Sequence, residues 1–168
     1  MSTSYLFLWF IGKQFDKAKF YSEKDYLTGV YNRRFLDRIF PKLMVESYGD
    51  IAVIVADVDH FKQINDTQGH KFGDEVLKEI SKLFVKNIRK TDIVTRWGGD
   101  EFIIVMPDVI ENELMEILLR MEKELDRTFH MGISIGTAIY PKDGKHLEDL
   151  IRKADQRMYK NKLEKKEP

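Results

Sequence analysis

The chain has 168 residues, with 28 basic and 28 acidic side chains, a formal net charge of zero and no cysteine. That length supports one packed domain with an accessory element and is too short for two ordinary domains. Zero net charge gives no global field toward a nucleic acid polymer or a membrane surface, and the missing cysteines exclude disulfides, thiolate metal sites and thiol catalysis.

The first feature is an apolar run from Tyr5 to Ile11. It is far shorter than the roughly 20 residues that span a bilayer. No basic segment precedes it and no small-residue cleavage pattern follows it, so it does not resemble a signal peptide. Phe15, Ala18 and Tyr21 continue an apolar spacing. Residues 1–22 therefore read as a helical connector, one that packs on the domain or on a second copy, or that ends a longer membrane or sensor helix. Residues 23–168 are then the folded domain.

Beyond a Thr28-Gly29 turn, Phe35, Ile39, Leu43 and Met44 fall at helical spacing, with Pro41 as an interruption. DIAVIVADVDHF, residues 50–61, is apolar and β-branched before its acids. It predicts a central buried strand delivering Asp57 and Asp59 at its C-terminal end. GDEVLKEISKLFVKNI, residues 73–88, places Val76, Ile80, Leu83, Phe84 and Ile88 on one side of a helix. DIVTRW and EFIIVMP bracket Gly98-Gly99 and predict a β-hairpin whose second strand begins at Asp100 and Glu101. ENELMEILLRMEKEL predicts a second amphipathic helix, GISIGTAIYP an alternating strand, and HLEDLIRKADQRMYKNKLEKK a closing helix ending in lysines. The order helix, strand, helix, hairpin, helix, strand, helix points to an α/β (α+β) sandwich. Its central sheet is mostly antiparallel, flanked by helices and assembled from split βαβ units.

Asp100 and Glu101 abut a strand that is apolar on both sides, where an ionised carboxylate is costly without a cation. Antiparallel central strands bring Asp57 to the same end. An all-oxygen set with no cysteine or histidine pair favours Mg²⁺ or Mn²⁺ over zinc. Magnesium on few carboxylates completes its shell with water and substrate phosphates, which suits phosphoryl transfer with two metals. Gly98 and Gly99 permit a tight turn and the close approach of a bulky substrate. A lone Gly-Gly-Asp-Glu is equally an exposed turn.

GGDEF at 98–102 resembles the signature of the GGDEF-domain diguanylate cyclases, and four further stretches agree in order. They are DYLTGVYNRR at 25–34, DVDHFKQINDTQGHKFGDEVL at 57–77, SIGTAIYP at 134–141 and ADQRMYKNK at 154–162. The resemblance covers about residues 22–166. It implies a palm-like nucleotidyl cyclase fold that condenses two GTP molecules into cyclic di-3′,5′-GMP and two pyrophosphates. It also implies two Mg²⁺ or Mn²⁺ ions per active half-site, held by Asp57, the Val58 carbonyl, Asp100 and Glu101. Asp100 matches the position assigned as general base for the ribose 3′-hydroxyl, and Glu101 a metal-ligand position. A metal-held carboxylate is a poor base, so metal activation of the hydroxyl is the alternative route.

Asn65 and Asp74 match the family's guanine-recognising positions. A carboxylate accepts from guanine N1–H and its exocyclic amine, and an amide both donates and accepts, whereas adenine lacks those donors. Asn65 capping a turn and Asp74 capping the following helix are the local alternatives. The main-chain N–H groups of His60 and Phe61 match a phosphate cradle, with Lys62 nearby. Lys162 matches a triphosphate-contacting lysine, and Lys166 a position that is commonly basic. Asn161 stands where alanine is usual and Lys165 where glycine is usual, so a solvated lysine face is the alternative for Lys166.

RKTD at 89–92 has the family's R-x-x-D spacing from the signature. The resemblance makes Arg89 and Asp92 a product-inhibition site, with Arg120 as a candidate partner surface. Arginine forks onto phosphate or guanine and aspartate takes the guanine N–H edge. A helix-terminal arginine favoured by the dipole is the alternative. Two GTP molecules joined symmetrically imply an isologous homodimer. The expected partners are thus GTP, cyclic di-GMP as product and inhibitor, and a second copy. A membrane or sensor segment upstream in a longer parent chain is a further candidate. The expected location is cytoplasmic, free or as the cytoplasmic part of a membrane-anchored protein.

Overall fold

The run from Ile51 to Val58 has no polar face until Asp57, a pattern that is stable only with neighbouring strands at both edges and cover on both faces. The computed structural model, which describes residues 22–129 and 131–164, supplies both. In chain order its elements are β1 (Tyr31–Asn32), α1 (Arg33–Glu46), β2 (Ile51–Val58), α2 (Phe61–Gln68), α3 (His70–Asn87), β3 (Ile93–Gly98), β4 (Glu101–Met106), α4 (Glu111–Phe129), β5 (Ile133–Tyr140) and α5 (Leu147–Glu164). The expectations for the Tyr5–Ile11 run, the connector through Tyr21, Lys165 and Lys166 lie outside the described residues. Among the described residues no helix is long and apolar enough to cross a membrane.

The strands form one five-stranded sheet in the order β1-β3-β4-β2-β5. β2 is antiparallel to β4 and to β5, β3 is antiparallel to β4, and β1 is parallel to β3. β2 and β3 thus run the same way with β4 between them, and β4 and β5 do so with β2 between them. These are two interlocked split βαβ units, as the element order predicts.

Strand alternation sorts the core onto two faces. Ala52, Ile54 and Ala56 of β2 join Phe102 and Ile104 of β4 against Val76, Ile80 and Phe84 of α3 and Met121 of α4. Val53 and Val55 join Ile103 and Val105 against Leu36 and Phe40 of α1 and Leu150 and Met158 of α5. Continued past the apolar rows, this second face ends at Asp57 and Glu101, which are paired across the β2–β4 ladder. The alternation that builds the core therefore also delivers the acids.

Pro41 does not interrupt its helix, which runs on to Glu46. The proline is exposed, so the carbonyl it leaves unbonded reaches water. The helix starts at a local cap, where Asn32 accepts the Phe35 N–H at 3.1 Å. The stretch around Asn65 is the helix α2 rather than a turn, and α3 starts at His70, ahead of the predicted Gly73. Gly69, at φ 84°, makes the corner between these two helices. Its positive φ suits glycine.

Candidate functional site

The β3–β4 turn passes through Gly99 and Asp100. Gly99 has φ 50°, a left-handed conformation that glycine adopts without steric cost. The Val58 N–H donates to the Asp100 carbonyl at 3.4 Å, laying the hairpin tip along the end of β2. With Asp57 opposite Glu101 in the ladder, the three predicted carboxylates share one end of the sheet.

The crowding shifts the two acids of the hairpin tip. Burial pushes the Asp100 carboxyl above its ordinary range, and the charge of Asp57 adds to the rise. Burial does the same to Glu101, reinforced by Asp57, Asp100 and Asp155. A cation relieves this repulsion, and the ammonium of Lys162 on α5 acts on both carboxyls, with Arg96 adding to it at Asp100. The Lys162 ammonium is ion-paired with Asp57 and stands 3.8 Å from Asp59. Burial depresses the Lys162 pKa, but the bond to Asp57 and the surrounding acids outweigh burial and raise it.

Among the described residues no three acidic or imidazole groups are gathered closely enough to hold an ion as they stand. Asp57 is engaged by Lys162 instead. The donor chemistry still fits a hard divalent ion: the groups are all oxygen, two carboxyls are raised by burial and by the neighbouring acids, and a cation already bonds to the third.

Two residues outside the predicted set brace the tip. Arg96 donates to the Gly99 carbonyl from Nε at 2.9 Å and Nη2 at 2.8 Å, and from Nη1 to Asp25 at 3.2 Å. Asp25 also accepts the Thr28 N–H at 2.9 Å and its hydroxyl at 2.7 Å. Burial raises the Asp25 carboxyl, but Thr28 and Arg96 together outweigh burial and leave it below its usual value. A third residue, Asp59, had no predicted role. It accepts the Ser134 hydroxyl at 2.6 Å beside Lys162. Its signal in the sequence is the acid repeat of DVD, whereas the sign for Arg96 is only its place before the glycine pair.

Asn65 lies in α2 and Asp74 in α3, on either side of the Gly69 corner. Neither is a helix cap. The Asn65 main-chain carbonyl accepts the Gly69 N–H at 2.9 Å, and Asp74 sits beyond the first turn of α3. His60, at φ 59°, precedes α2, which begins without a side-chain cap. Its first N–H groups, from Phe61 and exposed Lys62 onward, are thus open to an anion.

The R-x-x-D residues occupy the far end of β3, roughly 17 Å from the tip at strand rise. The Arg89 N–H donates to the Asp92 carboxylate at 2.8 Å, and the Asp92 N–H returns to the Arg89 carbonyl at 3.1 Å. Asp92 is buried, which pushes its carboxyl up, partly offset by Arg89. The Arg89 guanidinium is paired with Glu113. Arg120 donates to the Asn87 side chain at 2.7 Å and to its carbonyl at 2.8 Å, closing the end of α3. The three residues share a corner, but each is committed to an internal partner.

Residues 22–168 match the family described as Diguanylate cyclase, GGDEF domain. The chain is 38% identical over 147 residues to the diguanylate cyclase DosC of Escherichia coli K12, covering 80% of this chain and 32% of DosC. It is 33% identical over 151 residues to the response regulator PleD of Caulobacter vibrioides, covering 82% of this chain and 33% of PleD. The chain thus spans about a third of the length of these relatives. The GGDEF domain of DgcB from Caulobacter crescentus, solved in complex with c-di-GMP, matches with a TM-score of 0.78 at 25% identity, covering 86% of this chain and 89% of that one.

Proposed function

The chain belongs to the GGDEF family of diguanylate cyclases, and we propose that it condenses two GTP molecules into cyclic di-3′,5′-GMP and two pyrophosphates. The observation that carries this reading is the convergence of Asp57, Asp100 and Glu101 at one sheet end around the Lys162 ammonium.

In each of two symmetric steps, a ribose 3′-oxygen bonds to the α-phosphorus of the other GTP while the bond from that phosphorus to the pyrophosphate oxygen breaks. The hydroxyl proton passes to Asp100 when that carboxylate is not itself held by a metal, and metal activation of the hydroxyl is the alternative route. Two Mg²⁺ or Mn²⁺ ions, when held by Asp57, the Val58 carbonyl, Asp100 and Glu101, supply Lewis acidity toward the hydroxyl and the phosphates. Lys162 exchanges Asp57 for the incoming triphosphate, so its charge stays paired throughout. The N–H groups of His60 and Phe61, with Lys62, cradle the phosphates, and Lys166 adds positive charge. Asn65 and Asp74 read the guanine edge.

One domain offers one half-site, so the reaction needs an isologous pair. Residues 1–22 act as the connector that sets how often half-sites meet, and residues 23–168 as the catalytic domain. A membrane or sensor segment of a longer parent chain is the source of the input. The work is cytoplasmic, where GTP is drawn, free or beneath a membrane anchor. Product returns to Arg89 and Asp92, with Arg120 on the partner surface, and so inhibits synthesis. The DgcB complex with c-di-GMP supports binding of that ligand by a domain of this fold.

The test is incubation of the purified chain, stripped of bound nucleotide, with GTP and Mg²⁺, followed by chromatography of the products. Cyclic di-GMP and pyrophosphate should form with the parent and not with Asp100→Ala. GTP left intact by the parent while it binds cyclic di-GMP would make the protein a receptor instead.

A further inference from the structure

Gly73 is buried inside α3, where glycine is destabilising relative to alanine. Backbone conformation does not demand it, since Gly73 is not among the glycines with positive φ. Its surroundings do. A Cβ at Gly73 would lie 2.0 Å from Oδ1 and 3.0 Å from Cγ of Asn65, and 3.2 Å from Cζ of Phe61. The Asn65 amide thus rests on the α3 backbone in the space a methyl group would fill, one residue before Asp74. The side-chain atoms of Asn65 enter no hydrogen bond among the described residues, so its amide is free for a ligand.

We infer that Gly73 is a specificity-determining positioning residue: by lacking a side chain it seats the Asn65 amide beside Asp74, in reach of one guanine edge. The inference rests on the assignment of Asn65 and Asp74 to guanine. The obstructing atoms of Asn65 are the end of a flexible side chain, so a methyl group at position 73 displaces the amide more readily than it disturbs the helix pair. The substitution therefore affects base recognition without loss of the fold.

The experiment compares the parent with Gly73→Ala, Asn65→Ala and the double variant. Each is titrated with a GTP analogue that cannot be cleaved between its α- and β-phosphates, and with the matching ATP analogue, in Mg²⁺. Melting temperatures are recorded in parallel. Gly73→Ala should weaken the GTP analogue about tenfold, close to the effect of Asn65→Ala, and should narrow the GTP-to-ATP ratio. It should not lower the melting temperature, and the double variant should bind no more weakly than Asn65→Ala. Parent-like binding by Gly73→Ala alongside weakened Asn65→Ala overturns the inference. So does a double variant weaker than Asn65→Ala, or a lowered melting temperature that the double variant does not recover. Parent-like binding by Asn65→Ala overturns the guanine assignment itself, and the inference falls with it.

Discussion

The acid end of the sheet and the R-x-x-D corner stand at opposite ends of β3 and present charge in opposite ways. At the acid end, the β2–β4 ladder forces Asp57 against Glu101 and the tip adds Asp100, leaving carboxyls raised and an ammonium bonded in their midst. At the corner, Asp92 is spent on the Arg89 N–H, Arg89 on Glu113 and Arg120 on Asn87. In the first region burial and neighbouring acids raise two carboxyls, so it gains by taking up a further cation. The second is satisfied, and must give up internal contacts before it holds a ligand. On the proposed function, synthesis would draw on the first region as it stands, whereas inhibition at the second would carry a rearrangement cost that weakens it.

The largest effect comes from breaking the first region alone. Glu101→Gln or Asp57→Asn should lower kcat by about a hundredfold or more, while calorimetry still finds cyclic di-GMP bound at Arg89 and Asp92. A smaller, divided effect is expected of Lys162→Met. Loss of a charge-assisted contact should raise the KM for GTP about tenfold. Asp57, freed of its internal partner, should bind Mg²⁺ more tightly without nucleotide, as a metal titration will show.

At the corner, Glu113→Ala releases the Arg89 guanidinium from an exposed pair. Such pairs hold about 0–1 kcal/mol, so the inhibition constant for cyclic di-GMP should fall by about threefold. An unchanged constant would mean that Arg89 is not held back by Glu113.

The smallest effect separates the regions by pH. Asp25, which braces the tip through Arg96, has a folded pKa below the unfolded value of about 3.9. Its contribution is present above that value and lost as pH falls through the folded pKa. Asp92 has a raised pKa; its contribution is fully present below about pH 3.9 and is lost as pH rises through the folded value. The melting-temperature difference between parent and Asp25→Asn should therefore shrink on acidification, and that between parent and Asp92→Asn should grow. A common direction would contradict the contrast.

The strands and their acids were legible because alternation is local: the period that buries Val53 and Val55 also fixes the face of Asp57. The carboxylate convergence followed from strand order. The partner of Asp57 was not legible in the same way, since Lys162 arrives from the last helix and no local period couples the two. Resemblance placed Lys162 near phosphate, not on Asp57. α2 was missed because it is short and buries no residue fully, and β1, with two residues, is too short for any period. Gly73 opens the amphipathic stretch in the sequence but lies inside α3, and the nearness of Asn65 and Phe61, which accounts for it, has no local period. The engagement of Arg89, in the loop after α3, by Glu113 of α4 leaves no mark in R-x-x-D itself.

The most direct test of two separate regions uses one variant. Asp100→Ala, stripped of nucleotide, is assayed for synthesis from GTP and Mg²⁺ and titrated calorimetrically with cyclic di-GMP beside the parent. The expected result is no synthesis with cyclic di-GMP affinity unchanged. Synthesis retained, or affinity lost along with it, would contradict a catalytic tip that is chemically distinct from the product corner.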